Sequence, residues 1–422
     1  MILALCLFLV MYVLLLLLPE KKYIIALTTA AIFVLLGILP IQQVFGAIDW
    51  NIILMLTGTM MVVELFIESQ MPALMAEKLL MKMPNVKMAI VVIAAFSGII
   101  SAFVDNVATV LIVAPIGLAI AKKIKTNPVP VLIAIAVSSN LQGAATLVGD
   151  TTSILLGSYA NMSFNDFFYF LGKPGITVSV EVGAVLTLPV LYFLFRKENG
   201  KVSGDITVKV TDYVPSFLML GIIVGLIVAS QFPHKPEITN GLICVGIACF
   251  GLVYRAIREK SMKPITKTLK AVDYKTLLLL SGLFIVIAGV TEAGVIDAIA
   301  DLFIKFGGNS LFVMYTLIVF ASVFFSAFVD NIPYVATMLP VVQGIAMSMG
   351  VEPYVLYFGL LIGATLGGNL TPIGASANVT AIGILQKEGY KVDTKEYLKI
   401  GVPMTIVAVV VGYLVNWLIW GL

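Results

Sequence analysis

Apolar runs of about 17 to 25 residues recur along the chain, the length that crosses a ~30 Å hydrocarbon core at ~1.5 Å per residue. Ten such segments start near Ile2, Tyr23, Ile48, Val131, Ile176, Pro215, Asn240, Val272, Tyr354 and Gly401. Two further apolar stretches, Met88 to Ile120 and Leu311 to Met347, carry polar residues midway. The pattern predicts an all-α polytopic membrane protein with about ten transmembrane helices and two re-entrant hairpins.

An internal repeat organises these segments. Ser101-Ala102-Phe103-Val104-Asp105-Asn106 reappears unchanged as Ser326-Ala327-Phe328-Val329-Asp330-Asn331. The same spacing carries Pro115 to Pro340, Gly143 to Gly368, Thr146 to Thr371 and Gly149 to Gly374, and Asp49-Trp50 finds its partner in Asp273-Tyr274. An odd number of crossings separates Asp49 from Asp273, so the second copy is inverted. The repeats run over about 20–200 and about 240–422. Inverted repeats are a recurrent plan of secondary transporters, because two halves of opposite orientation can exchange conformations around one central site.

The polar residues at membrane depth fall in four places. Asp105-Asn106 and Asp330-Asn331 lie midway between apolar arms and are expected at the tips of hairpins entering from opposite sides. The other two places are helices broken in the middle. One carries Asn140, Gly143, Thr146, Gly149, Asp150, Thr151 and Thr152; the other carries Thr365, Gly368, Asn369, Thr371, Gly374, Ser376 and Asn378. Irregular backbone at this depth is tolerated only where protein or a water-filled cavity covers it. Freed carbonyls can then coordinate a cation, and half-helix N-termini favour an anion. These eighteen residues are the expected ion and substrate site, with Na⁺ possible at Asp105, Asn106, Asp150, Asp330 and Asn331.

A carboxylate at the bilayer centre costs about 2.5 to 3.5 kcal/mol. Asp105, Asp150 and Asp330 are therefore expected to be protonated, hydrogen-bonded or bound to a cation, since no Lys or Arg is expected at comparable depth. Asp105 and Asp330 can also cap the half-helix after each tip. Asp150 breaks the repeat, because its counterpart is Ala375. Glu64 and Glu181 each stand alone on an apolar segment and read as packing or interfacial residues.

Composition and charge agree with this class. Of 422 residues, 60% are hydrophobic and 12% charged, and the net charge of +3 implies neither nucleic acid nor an acidic partner. Under the ten-segment topology all Lys and Arg except Lys173, Lys235 and Lys305 fall on one side, including Lys21, Lys22, Lys125 and Lys201. The positive-inside rule makes that side cytoplasmic and both termini extracytoplasmic, in a cytoplasmic (inner) membrane. Ile2 to Leu18 lacks a basic leader and a cleavage site, so it reads as a retained span. Cys6, Cys244 and Cys249 sit in apolar segments, which argues against disulfides or zinc. His234 reads as a solvated loop residue. No nucleophile and base pair, phosphate loop or metal cluster suggests an enzyme or a bound cofactor; Na⁺ or H⁺ is the expected coupling ion.

The phrases Ser101 to Asn106, Gly149-Asp150, Gly367-Gly368-Asn369 and Ile373-Gly374-Ala375-Ser376-Ala377-Asn378 resemble the ion-transporter superfamily. It comprises arsenite permeases, D-type sodium/proton antiporters, P-protein-like permeases and, more distantly, divalent anion/sodium symporters. The resemblance implies a homodimer working as an elevator. A scaffold over 1–84 and 214–305 would support a transport domain over 85–213 and 306–422. It also implies a small anion or oxyacid as substrate, arsenite-like or carboxylate-like, with sodium/proton antiport and a gated anion channel as alternatives.

Overall fold

The computed structural model describes residues 1–123, 126–198, 200, 208–232, 234–308 and 310–422; Lys125 and Lys201 of the basic side lie outside them. The first half comprises α1 (Ile2–Leu17), α2 (Lys22–Leu35), α3 (Val44–Ala47), α4 (Trp50–Glu68), α5 (Met71–Leu80), α6 (Val86–Ser101), α7 (Asn106–Lys123), α8 (Pro128–Gln142), α9 (Thr151–Tyr159) and α10 (Ile176–Leu194). The second half repeats the order with α11 (Val214–Ala229), α12 (Thr239–Glu259), α13 (Lys263–Ala271), α14 (Tyr274–Glu292), α15 (Val295–Gly307), α16 (Leu311–Ser326), α17 (Asn331–Met349), α18 (Tyr354–Leu361), α19 (Ser376–Lys387) and α20 (Thr394–Trp420). A two-stranded ribbon, Tyr169–Phe170 with Lys173–Pro174, precedes α10 and turns through Leu171 and Gly172 at positive φ.

Among the described residues, seven helices are long and apolar enough to cross a membrane, or up to nine if each sharply bent pair counts as one span. The segments expected at Ile2 and Tyr23 form α1 and α2, of 16 and 14 residues, and the chain bends by 117° between them. The axes of α15 and α16 differ in direction by a similar 115°. Both interrupted stretches form hairpins, α6 with α7 and α16 with α17. The two polar-rich helices are broken where glycine, proline and hydroxyl residues crowd.

The two halves interlock. α4 of the first packs along α12 of the second, and α2 of the first along α14 of the second. Gly58 and Gly282 occupy equivalent positions on α4 and α14 and let these pairs touch. A Cβ at Gly58 would lie 2.3 Å from the Cys244 backbone carbon, and one at Gly282 2.8 Å from that of Ala26. Replacing Gly58 with Ala is expected to force α4 from α12 and to destabilise the protein by about 1 to 3 kcal/mol, the usual cost of overpacking. Thermal unfolding in detergent measures this, and an unchanged transition temperature would contradict the packing.

A second layer gathers around α8, which contacts α6, α7, α19 and α20, while α10 packs along α20 and α9 against α17. Of the span Pro128–Ala145, 94% is buried, against 33% for α12. Small residues again alternate between halves: Gly98 lies under the Gln142 side chain, and the equivalent pair is inverted, with Gly367 under Val323.

Candidate functional site

Each hairpin tip is held by its own polar residues. After α6 the chain turns through Ala102 to Asp105, whose Oδ1 accepts the amides of Val107 (3.0 Å) and Ala108 (3.3 Å) and so caps α7. Asp330 Oδ1 likewise accepts Ile332 N (3.3 Å) and caps α17. Asn106 ties the first tip to α8: it receives Ser101 Oγ (2.8 Å) and donates to Asn140 Oδ1 (3.0 Å).

The breaks share a 3-10 turn and an extended threonine, and the second adds a π turn. A 3-10 turn at Gly143–Ala145 leads to extended Thr146 and then Asp150; a π turn at Ile362–Leu366 and a 3-10 turn at Gly368–Leu370 lead to extended Thr371 and then Ala375. The Thr146 and Thr371 hydroxyls donate to the tip carbonyls of Ala102 and Ala327. Gly149 and Gly374 face converging carbonyls. A Cβ on Gly149 would lie 2.6 to 2.9 Å from the oxygens of Gly143, Ala102 and Ser101, and one on Gly374 2.5 to 2.8 Å from those of Gly368, Ser326 and Ala327. Only glycine leaves these oxygens in place.

The halves meet where Asn140 Nδ2 donates to the carbonyl of Thr365 (2.7 Å), its own repeat equivalent, so the pseudo-twofold axis passes between them. Around it, Thr152 Oγ1 reaches Asp150 Oδ2 (2.8 Å) and Thr365 Oγ1 (3.0 Å), and Asn331 Nδ2 of the second tip reaches Asp150 Oδ2 (3.3 Å). Asn369 Nδ2 donates to Val137 O (3.1 Å), and Asn378 Nδ2 to Asn369 Oδ1 (3.2 Å). Asp150 is 4% exposed.

A cavity of about 280 Å³ opens beside this network. Asp105, Asn106, Asn140, Asp150, Thr151, Asn331 and Ser376 line it. The remaining candidates, Gly143, Thr146, Gly149, Thr152, Thr365, Gly368, Asn369, Thr371, Gly374 and Asn378, stand outside its lining, and Asp330 is engaged at the second tip. The opposite wall comes from Leu56 to Ile67 of α4, from Ala271 at the end of α13, and from Asp273 and Thr276 at the start of α14. Among the described residues the lining holds four carboxylates, those of Glu64, Asp105, Asp150 and Asp273, and no lysine, arginine or histidine.

Two sequence expectations need correction. Lys22 lies beside a tip, with Nζ 2.7 Å from Asp330 Oδ2, so one of the three aspartates has a basic partner. Lys22 follows Lys21 at a helix junction and reads as an interfacial cation; only its reach from α2 across the fold brings it to the tip. Glu64 is a wall residue of the cavity. A stripe at helical spacing, Leu56, Met60, Val63, Glu64 and Ile67, carries that signal. Asp273, with Tyr274, marks the repeat in the sequence, yet nothing local indicates that it reaches the cavity. Glu181 is half-buried on α10, and His234 is exposed in a turn.

This fold and site define a membrane transporter built of two inverted repeats. The family model described as CitMHS, citrate transporter, matches residues 12–363, and the chain belongs to that family. It is 31% identical over 411 residues to an uncharacterized transporter of Mycobacterium bovis, covering 94% of each chain. It is 26% identical over 447 residues to the P protein of Homo sapiens, covering 86% of this chain and 53% of that one. In fold it is similar to the YdaH transporter of Alcanivorax borkumensis, with a TM-score of 0.61 at 12% identity over 96% of this chain and 98% of that one.

Proposed function

We propose that the protein is a secondary active transporter that moves a small anion or oxyacid across the cytoplasmic membrane, coupled to Na⁺ or H⁺. The observation that carries this reading is that sites for both signs meet at one cavity. Half-helices α9 and α19 start at its wall with Thr151, Ser376 and Ala377, and no side chain among the described residues caps either start. Such amides attract an oxyanion or carboxylate. On the same lining the Asp105 and Asp150 carboxylates supply hard oxygen donors, and the carbonyl clusters at Gly149 and Gly374, outside the lining, add further ones. The buried Asn378 Oδ1 also lacks a donor among the described residues. Oxygen donors of this kind suit Na⁺ better than a thiophilic metal.

An elevator fits the asymmetry of the halves. Ser158 at the end of α9 donates to Asp49 at the start of α4. The equivalent residues, Gly383 and Asp273, form no such bond among the described residues, and Asp273 lines the cavity instead. The cavity then faces the lysine-rich, cytoplasmic side. In the reverse state the Asp49 end would open and the Asp273 end would close. The domain division given above, with a homodimer formed through the scaffold, follows the same reading.

Sodium/proton antiport is favoured by one observation, the four lining carboxylates without a basic residue. Proteoliposomes decide between the two. An imposed Na⁺ or pH gradient is expected to drive labelled citrate, or another small carboxylate or oxyacid, above its equilibrium level. Proton movement driven by Na⁺ with no such solute present would defeat the leading reading.

A further inference from the structure

Asp105 and Asp330 stand in the same six-residue phrase and in different surroundings. Asp105 uses Oδ1 for the α7 cap; among the described residues nothing donates to its Oδ2, and it faces the cavity. Asp330 uses Oδ1 for the α17 cap, while its Oδ2 receives Lys22 Nζ at 2.7 Å and Ser376 Oγ at 3.3 Å. Lys22 opens α2, whereas the equivalent helix α12 opens with Thr239 and Asn240, so among the described residues no ammonium stands at the corresponding helix start. The contact also joins segments that the transport reading assigns to different domains.

We propose that Lys22 is an internal counter-cation of the second half-site: it occupies the Asp330 carboxylate when no solute cation does, and a solute cation must displace it. An ammonium in contact with a carboxylate oxygen neutralises its charge and repels a second cation brought to the same oxygen. The Lys22 side chain is 25% exposed against 10% for Asp330, so it has room to withdraw on its flexible stem. Lys22 thereby lowers the cation affinity of one half-site and makes two chemically equal aspartates unequal. It acts as a specificity residue, setting how much cation is needed before the second tip leaves α2. This rests on the proposal of a cation-coupled carrier.

The test is a Na⁺ titration of thermal stability on the purified full chain, with N-methylglucamine as the control cation, since a bound ion stabilises by mass action. Lys22→Gln is expected to lower the midpoint Na⁺ concentration about tenfold. In an Asp330→Asn background the same substitution is expected to change nothing, because the oxygen it guards has lost its charge. Lys22→Arg, which can hold the carboxylate through two donors, is expected to raise the midpoint and supplies a second reading should Lys22→Gln not fold. A midpoint unchanged in both Lys22 variants overturns the proposal. So does a Lys22→Gln effect that persists without Asp330. If Na⁺ stabilises neither the native chain nor the variants, sodium coupling itself fails and takes this proposal with it; a response in the native chain with unchanged variants sinks the Lys22 role alone.

Discussion

Replacing Asp150 with asparagine is expected to remove the cation dependence of transport while leaving the protein folded. The side chain is 4% exposed, accepts hydrogen bonds from Thr152 and Asn331, and joins the first break to the second tip. Asparagine keeps the shape and one acceptor oxygen, so the network loses a charge and little packing. An interaction with a charged group is worth about 1.5 to 3 kcal/mol, which corresponds to a loss of roughly tenfold to a hundredfold in ion affinity. The measurement is solute uptake against Na⁺ and H⁺ concentration at constant total salt. Unchanged coupling in Asp150→Asn would remove this carboxylate from the site. The substitution tests a position where the repeat is broken, since Ala375 stands where Asp150 would recur.

The second large effect is expected at the glycines of the carbonyl clusters. An alanine Cβ at position 149 or 374 would meet three backbone oxygens at 2.5 to 2.9 Å. These oxygens belong to hairpin tips and helix breaks tied by the Thr146 and Thr371 hydroxyls, so they cannot swing aside as a long side chain could. Gly149→Ala and Gly374→Ala should each cost about 1 to 3 kcal/mol of stability. They should also weaken Na⁺ stabilisation more than they weaken folding, because the displaced atoms are the proposed donors. Gly383→Ala is the control: no atom lies within 4 Å of its added Cβ, and it should behave as the native chain. Equal behaviour of all three variants would remove the carbonyl clusters from function.

Much of the architecture was readable from residue order. The repeated Ser-Ala-Phe-Val-Asp-Asn phrase located both hairpin tips, and the crowding of glycine, threonine and asparagine located both breaks. These signals are local: an apolar medium punishes unpaired backbone, so a chain that leaves the helix at depth must carry compensating polar groups beside the break. Capping by Asp105 and Asp330 was legible for the same reason, because a cap acts on amides two or three residues away.

Contacts between distant segments were not legible. In a bilayer, lipid-facing and protein-facing surfaces are both apolar, so hydropathy does not say which side of α4 meets α12 or which side of α2 meets α14. The small residues Gly58 and Gly282 carry that information only once their partners are known.

The sequence alone determined an inverted duplication, four polar interruptions and the residues that could hold ions there, because duplication and helix breaking are written in neighbouring residues. Only the tertiary structure decided which carboxylates share the cavity, that Glu64 and Asp273 join them, and that Lys22 covers Asp330 while Asp105 stays open. Charge pairing acts through space over a few ångströms, and the residues that meet there are separated by hundreds of positions along the chain.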